Sequence, residues 1–283
     1  MSKILAIAGK KTCGKTTLCN FLHGYQLKAY GIIEDFDLTD KGKLVIKANT
    51  DSGEVAHGQI DIMRRDLEFG EWAAYNMWPF VKQYSFASAL KEMCLGLFNI
   101  PWESIYGTND QKEQKIEHLK WENMPGVLTP DKIKNNGVYL TGEYGYPEAV
   151  QHLEGLGLII HPEGMMTGRE FMQFLGTEVM RKMYDNVWCE NTIGQVLDEE
   201  PQLALIDDAR FSNEVQTIKD AGGKIIQLIR VDNDDAHASE NGLEGIEFDA
   251  VIDARNMDMV QMCTELVAIL ENWGWFNDLP KEQ

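Results

Sequence analysis

A short apolar run, Lys3 to Ala8, leads directly into Gly9-Lys10-Lys11-Thr12-Cys13-Gly14-Lys15-Thr16-Thr17, and a helical pattern follows with Leu18, Phe21, Leu22 and Tyr25 on one face. The spacing G-x-x-x-x-G-K-T between a strand and a helix is that of a phosphate-binding loop. Its glycines let backbone amides approach phosphate oxygens, and the helix starting there adds the positive end of its dipole beneath the same anions. Lys15 can reach terminal phosphates, and the Thr16 hydroxyl can hold Mg²⁺. Gly9, Lys10, Cys13, Gly14 and Thr17 complete the expected nucleotide contacts. Cys13 reads as a small loop residue rather than a nucleophile.

A chain of 283 residues, 44% hydrophobic and 25% charged, can bury a sizeable core. We expect one domain over 1–283 with insertions. Its 26 Lys plus Arg stand against 45 Asp plus Glu, a formal net charge of −19. Such a field repels DNA, so no nucleic-acid partner is expected, and the few cations must gather at the site. Lys10, Lys11 and Lys15 form one such island. Five cysteines without a C-x-x-C pair point to reduced thiols and a cytoplasmic setting. Nowhere do eighteen apolar residues run together, so no membrane partner is expected either.

Further strands are expected at Val81 to Ala87, Leu203 to Ile206, Ile225 to Ile229 and near Ala250 to Ile252. Helices are expected to carry Leu90, Met93, Cys94, Leu97 and Phe98; Phe171, Phe174, Leu175, Val179 and Met183; Asn213 to Ala221; and about Asp258 to Trp273. This alternation implies an α/β fold, a parallel sheet with helices on both faces. Two stretches break the rhythm and read as insertions: about 32–80, hairpins and then a helix near Trp72, and about 125–164, loops and short strands. The seven tryptophans read as core or insertion packing.

Leu203-Ala204-Leu205-Ile206-Asp207-Asp208-Ala209-Arg210 delivers two carboxylates and an arginine to a strand end. An aspartate there can complete a magnesium site, and a guanidinium beside it can clamp a phosphate, or else pair with the aspartate. Arg169, Gln173 and Thr177, four apart, share a helical stripe suited to a ligand with a phosphate at one end and a base at the other. Lys91 opens a helix after a strand, and Arg230 ends a strand where it could stack on a base. Asp235-Ala236-His237-Ala238-Ser239-Glu240 reads as a polar loop near a site.

These segments, taken in order with Tyr84-Ser85-Phe86-Ala87-Ser88-Ala89-Leu90-Lys91 and Arg169-Glu170-Phe171-Met172-Gln173-Phe174-Leu175-Gly176-Thr177, resemble the bacteriophage deoxynucleoside monophosphate kinases. The resemblance runs from residue 3 to about 270 and leaves the two insertions uncovered. It implies a P-loop kinase-like fold that moves the γ-phosphoryl of ATP, with Mg²⁺, onto a dNMP, giving dNDP and ADP for viral dNTP supply in the host cytoplasm. It also implies catalytic roles for Lys15, Arg169, Arg210 and Asp208, and a metal site at Thr16 and Asp208. Asp208 fits better than Asp207 because the first position of the pair need not be acidic. Lys91, Arg169, Gln173, Arg181 and Arg210 become substrate ligands, Arg181 as a candidate lid arginine, and Arg230 a cofactor contact. A homodimer is compatible with this reading. A dephospho-coenzyme A kinase and a nucleotide-binding regulatory protein are the alternatives; the absence of N-K-x-D weighs against a GTPase switch.

Overall fold

The structure, a computed structural model, describes residues 2–10, 12–49, 55–64, 66–129, 155–156, 158–230 and 245–276. In chain order its elements are β1 (Lys3–Ala8), α1 (Lys15–Ala29), β2 (Asp35–Leu38), β3 (Leu44–Asn49), β4 (Val55–Gln59), α2 (Leu67–Asn76), β5 (Val81–Tyr84), α3 (Ser88–Gly96), α4 (Trp102–Tyr106) and α5 (Asn109–Lys112). There follow β6 (Lys115–Lys120), β7 (Val127–Leu128), β8 (Ile159–Ile160), β9 (Met165–Thr167), α6 (Gly168–Gln173), α7 (Val187–Glu199), β10 (Leu203–Ile206), α8 (Ser212–Asp220), β11 (Lys224–Ile229), β12 (Ala250–Asp253) and α9 (Met259–Asn272). The chain groups into two compact units, 1–88 with 186–283, and 89–185. Of the two expected insertions, 32–80 belongs wholly to the first unit and the described part of 125–164 to the second.

In the first unit, β1 is the middle strand of a five-stranded sheet ordered β12-β11-β1-β10-β5, every neighbouring pair parallel. A parallel strand covered on both faces must be apolar along its whole length, and Ile4 to Ala8 are all buried. Alternate side chains serve opposite faces. Leu5 and Ile7 join Leu18 and Leu22 of α1 and Met262 and Leu266 of α9 in one core. On the other face Ile4 and Ile218 of α8 crowd Gly223, where a Cβ would stand 3.0 Å from the Ile4 Cβ and 2.7 Å from the Ile218 Cγ2. A parallel sheet between helices is compatible with the P-loop kinase-like fold.

A second, antiparallel sheet, β2-β3-β4, packs on α1. Gly24 of α1 leaves room for the Phe36 ring, and Asn20, buried in the helix, donates from Nδ2 to the Gly42 carbonyl at 2.7 Å. The turn between β2 and β3 is thereby fastened to the helix that begins at the phosphate loop.

The second unit has its own core, built from Cys94 of α3, Ile105 of α4, Ile116 and Leu119 of β6, and Phe171, Phe174 and Leu175. Thr167 and Glu170 cap α6 reciprocally through 3.1 Å and 2.7 Å bonds. Beyond Gln173 the helix continues in π-type winding over Phe174–Arg181. Gly176, inside this wider stretch, lets Leu90 approach to where a Cβ would stand 2.7 Å from it.

Three local expectations are corrected. The strand expected over Val81 to Ala87 stops at Tyr84, because the Phe86 and Ala87 amides turn away to bind the Asp208 carboxylate. Met183, expected on a buried helix face, is 77% exposed beyond the π-wound segment. Leu97, 74% exposed, and Phe98 both lie past the end of α3.

Candidate active site

The phosphate loop occupies the carboxyl end of the central strand. Gly9 is required by close approach: a Cβ there would stand 2.5 Å from the Leu228 carbonyl oxygen of β11 and 2.9 Å from the Cys13 Sγ. Thr12 holds φ +64°, a left-handed conformation uncommon outside glycine, and Gly14 holds φ +112° as the residue before α1. Such locally unfavourable backbone is typical of loops whose amides are pre-aimed at a ligand. Lys11 lies outside the described residues.

Lys15 spans the loop from within. Its Nζ donates to the Gly9 carbonyl at 2.6 Å and the Lys10 carbonyl at 2.7 Å, with the Cys13 Sγ at 3.9 Å. Burial pushes the Cys13 thiol up, outweighing the neighbouring ammonium, so Cys13 is a protonated, inert side chain at neutral pH. Arg230 brings an Nη to 3.4 Å from the position a Gly14 Cβ would take, and Met262 of α9 closes in beside it. The Thr17 hydroxyl lies against Gly42 in the β2–β3 turn, so its side chain packs on that hairpin.

The two carboxylates after β10 have different partners. The Thr16 Oγ1 donates to Asp207 Oδ2 at 2.9 Å. Asp208 instead accepts from the Ser85 Oγ at 2.5 Å, the Phe86 amide at 3.0 Å and the Ala87 amide at 3.2 Å, tying the loop after β10 to the loop after β5. The expected partnership of Thr16 with Asp208 is therefore not the one the fold makes. Backbone alternation explains the choice: adjacent residues leaving a strand point apart, so only one can face the phosphate loop.

The Asp207 carboxyl titrates above the usual carboxylate range. Burial is the main cause and the Asp208 charge the second, opposed by hydrogen bonds from Thr16 and Gln83 and by the Lys15 charge. A hydroxyl and a carboxylate oxygen 2.9 Å apart are hard oxygen donors, and a half-buried carboxylate beside a second one gains from a cation. This donor set fits Mg²⁺. Among the described residues no three His, Cys, Asp or Glu side chains converge on a metal position, so phosphate and water would supply the other ligands.

Arg210 is exposed, and its backbone is fixed by Glu214, which is 2% exposed and accepts from the Arg210 amide at 2.6 Å and the Phe211 amide at 3.1 Å. Among the described residues no ion pair joins Arg210 to Asp207 or Asp208, so the guanidinium is not spent on holding the strand end.

The remaining candidates belong to the second unit. Arg169, in the first turn of α6, places Nη1 2.9 Å from Glu113 Oε1 and Nη2 3.3 Å from Asn109 Oδ1. Gln173 is exposed one turn later. Thr177 falls in the π-wound stretch, where four residues no longer complete a turn, so the stripe expected from Arg169 through Gln173 does not extend to it. Arg181 ends that stretch. Lys91 of α3 holds its Nζ 5.0 Å from the centre of the Tyr106 ring. The polar loop Asp235 to Glu240 lies outside the described residues.

Sequence reasoning missed the roles of Ser85, Asn109, Glu113 and Glu214. Only Glu214 left a local signal, as an acid three residues after the helix-preceding Phe211. The others become visible only once distant segments are brought together.

No helix among the described residues is long and apolar enough to cross a membrane. A family model for deoxynucleotide monophosphate kinase matches residues 103–263. A protein of Acanthamoeba polyphaga mimivirus, provisionally named a deoxynucleotide monophosphate kinase, is 24% identical over 210 residues, covering 68% of this chain and 84% of its own length. The family match spans more than half of the chain and takes in α6, the carboxylate pair and Arg210, so the chain belongs to the deoxynucleotide monophosphate kinase family.

Proposed function

We propose that this enzyme transfers the γ-phosphoryl group of ATP to the 5′-phosphate of a deoxynucleoside monophosphate, giving dNDP and ADP and feeding dNTP supply. The observation that carries the reading is the Thr16–Asp207 pair at the root of a loop threaded by Lys15. The loop amides and the α1 dipole bind the donor phosphates. Lys15 exchanges its two carbonyl partners for β- and γ-phosphate oxygens. Thr16 and Asp207 hold Mg²⁺, which when bound neutralises charge on the donor phosphates. Asp208 supports this arrangement from behind, by fixing the loop after β5.

Arg169 and Arg210 take the acceptor phosphate, with Lys91 and Arg181 as further cations and Gln173 toward the base. Glu113 competes with the phosphate for Arg169, but their contact is solvent-exposed at both ends and an exchange costs little. The acceptor oxygen is already anionic near neutral pH, so no strong general base is needed, and positioning and charge neutralisation carry the rate. Arg230, against Gly14, contacts the donor nucleotide.

The test is ADP formation from ATP and Mg²⁺ with each of the four dNMPs, with dephospho-coenzyme A, and with no acceptor. Turnover that requires a dNMP and is lost in Lys15→Ala is expected. Turnover indifferent to acceptor, or specific for dephospho-coenzyme A, overturns the assignment.

A further inference from the structure

The turn between β2 and β3 lies in the 32–80 stretch, which the resemblance to the deoxynucleoside monophosphate kinases leaves uncovered, yet it is seated directly on the helix that follows the phosphate loop. Three bonds close it: the Gly42 amide donates to the Thr39 carbonyl at 2.7 Å, the Lys43 amide to the Thr39 Oγ1 at 3.1 Å, and the Thr39 amide to the Lys43 carbonyl at 2.9 Å. Gly42 holds φ +68°, in the left-handed region. A Cβ there would stand 2.8 Å from the Thr17 Cγ2 and nearer still to its Oγ1, so glycine is what lets the turn lie this close to Thr17. Asn20, one turn further along α1, holds the Gly42 carbonyl. The turn is therefore fastened to α1 at two successive points and has a fixed place beside the last residue of the loop.

Lys41 and Lys43 flank Gly42, and both are exposed. Elsewhere in this unit lysines are occupied: Lys28 pairs with Asp35, Lys47 with Asp37 and Lys82 with Glu199, and Lys219 donates to the Glu247 carbonyl. Among the described residues Lys41 and Lys43 join no ion pair. Two unpaired ammonium groups side by side are out of keeping with a chain of net charge −19 unless an anion comes to them. Consecutive Cα atoms stand about 3.8 Å apart, and the four-carbon stem of lysine carries its charge further still, so both can reach an anion held at Thr17. A phosphate loop cradles the α- and β-phosphates with its amides and sends its lysine to the β- and γ-phosphates. The α-phosphate is the one left without a lysine.

We propose that the β2–β3 turn is a wall of the donor site, where Lys41 and Lys43 engage the α-phosphate of ATP while Lys15 serves the far end of the triphosphate. The proposal rests on the kinase reading above and adds a donor contact outside the phosphate loop. ATP and ADP share the α-phosphate, so the turn grips substrate and product alike and contributes to binding rather than to the transfer step. Two exposed cations act through a screened field, so their contribution shrinks as salt rises.

The experiment titrates ADP and a non-hydrolysable ATP analogue calorimetrically into the wild type, Lys41→Ala/Lys43→Ala, Lys41→Arg/Lys43→Arg and Lys120→Glu, at low and at high salt. Lys120→Glu, on an exposed residue of β6, changes the net charge by the same amount as the alanine pair and controls for the overall field. Because all of these side chains are exposed, the variants should melt with the wild type. The alanine pair is expected to weaken both nucleotides by about five- to tenfold at low salt and by less at high salt, with KM for the dNMP in place. The arginine pair should keep most of the affinity, and Lys120→Glu should bind as the wild type does. Unchanged affinity in the alanine pair, an equal loss in Lys120→Glu, or an arginine pair as weak as the alanine pair overturns the role of the turn and leaves the kinase reading standing. A loss for the ATP analogue without one for ADP overturns the assignment to the α-phosphate. A wild-type enzyme that binds neither nucleotide overturns the kinase reading, and the role of the turn with it.

Discussion

Thr16 and Asp207, 191 residues apart in the chain, meet at 2.9 Å, while Asp208 turns away to three donors on Ser85, Phe86 and Ala87. Adjacent carboxylates thus point apart: Asp207 faces the Gly9–Thr17 loop, and Asp208 braces two strand ends. Asp207→Asn should weaken apparent Mg²⁺ affinity by at least about tenfold, as loss of a metal-directing group does. Asp208→Asn should keep the wild-type Mg²⁺ dependence and lose about 1–3 kcal/mol of stability, because Asn cannot serve all three donors as well. Activity across a Mg²⁺ titration, with thermal melts of both variants, checks the division. Identical Mg²⁺ curves for the two variants would sink it.

Gly9→Ala probes whether the loop is rigidly seated. The added methyl meets the Leu228 carbonyl oxygen at 2.5 Å, and that carbonyl belongs to a strand in the sheet and cannot move aside cheaply. We expect a loss of about 1–3 kcal/mol from overpacking, together with weakened ATP binding as the loop is pushed off its amide-presenting path. Calorimetric titration with a non-hydrolysable ATP analogue reads the second effect directly.

How much of this was legible beforehand depended on the range of the interaction. β1, β10 and β11 announce themselves as continuous apolar runs because both of their faces are covered, and the phosphate loop is a local pattern whose spacing is set by backbone geometry. The end of β5 was not legible, since what bends the chain at Phe86 is a carboxylate more than a hundred residues away. The choice between Asp207 and Asp208 turned on strand alternation fixed by the register of β10 against β1, which sequence does not display. The Arg169–Gln173–Thr177 stripe assumed uniform α-winding, and the change to π-type winding after Gln173 broke it.

His23 gives the phosphate-loop helix an acid limit. It is 1% exposed, its Nδ1 lies 2.8 Å from the Cys19 carbonyl oxygen, and burial lowers its pKa from 6.5 to about 4. In the unfolded chain the imidazole protonates near 6.5, so between that value and about 4 the unfolded state binds more protons and the fold loses stability as pH falls. The full loss is about 3 kcal/mol. Urea titrations from pH 7 to pH 4 should show this slope in the wild type and a flatter one in His23→Gln. Parallel slopes would place the acid sensitivity elsewhere.

Asn20 and Gly42 hold the β2–β3 turn against α1. The bond between them is 2.7 Å long and the Asn20 side chain is 6% exposed, so Asn20→Ala leaves a buried carbonyl without its donor and should cost about 1–3 kcal/mol. Hydrogen exchange should quicken across β2 and β3 while β1 and β10 keep their protection. Uniform acceleration throughout the first unit would mean that the hairpin is not a separately fastened piece.

Glu214 tests whether Arg210 must be held as well as present. Its buried carboxylate accepts from the amides of Arg210 and Phe211 at 2.6 Å and 3.1 Å, fixing the backbone from which the guanidinium projects. Removing it in Glu214→Ala strands two amides and frees the turn, at a cost of about 1–3 kcal/mol. On the acceptor role proposed for Arg210, KM for the dNMP should rise while KM for ATP stays near its wild-type value. Glu214→Gln retains an acceptor oxygen and should recover most of both losses. A variant that is destabilised but keeps its KM for the dNMP would show that Arg210 finds its place without this anchor, and Glu214 would then be a helix cap alone.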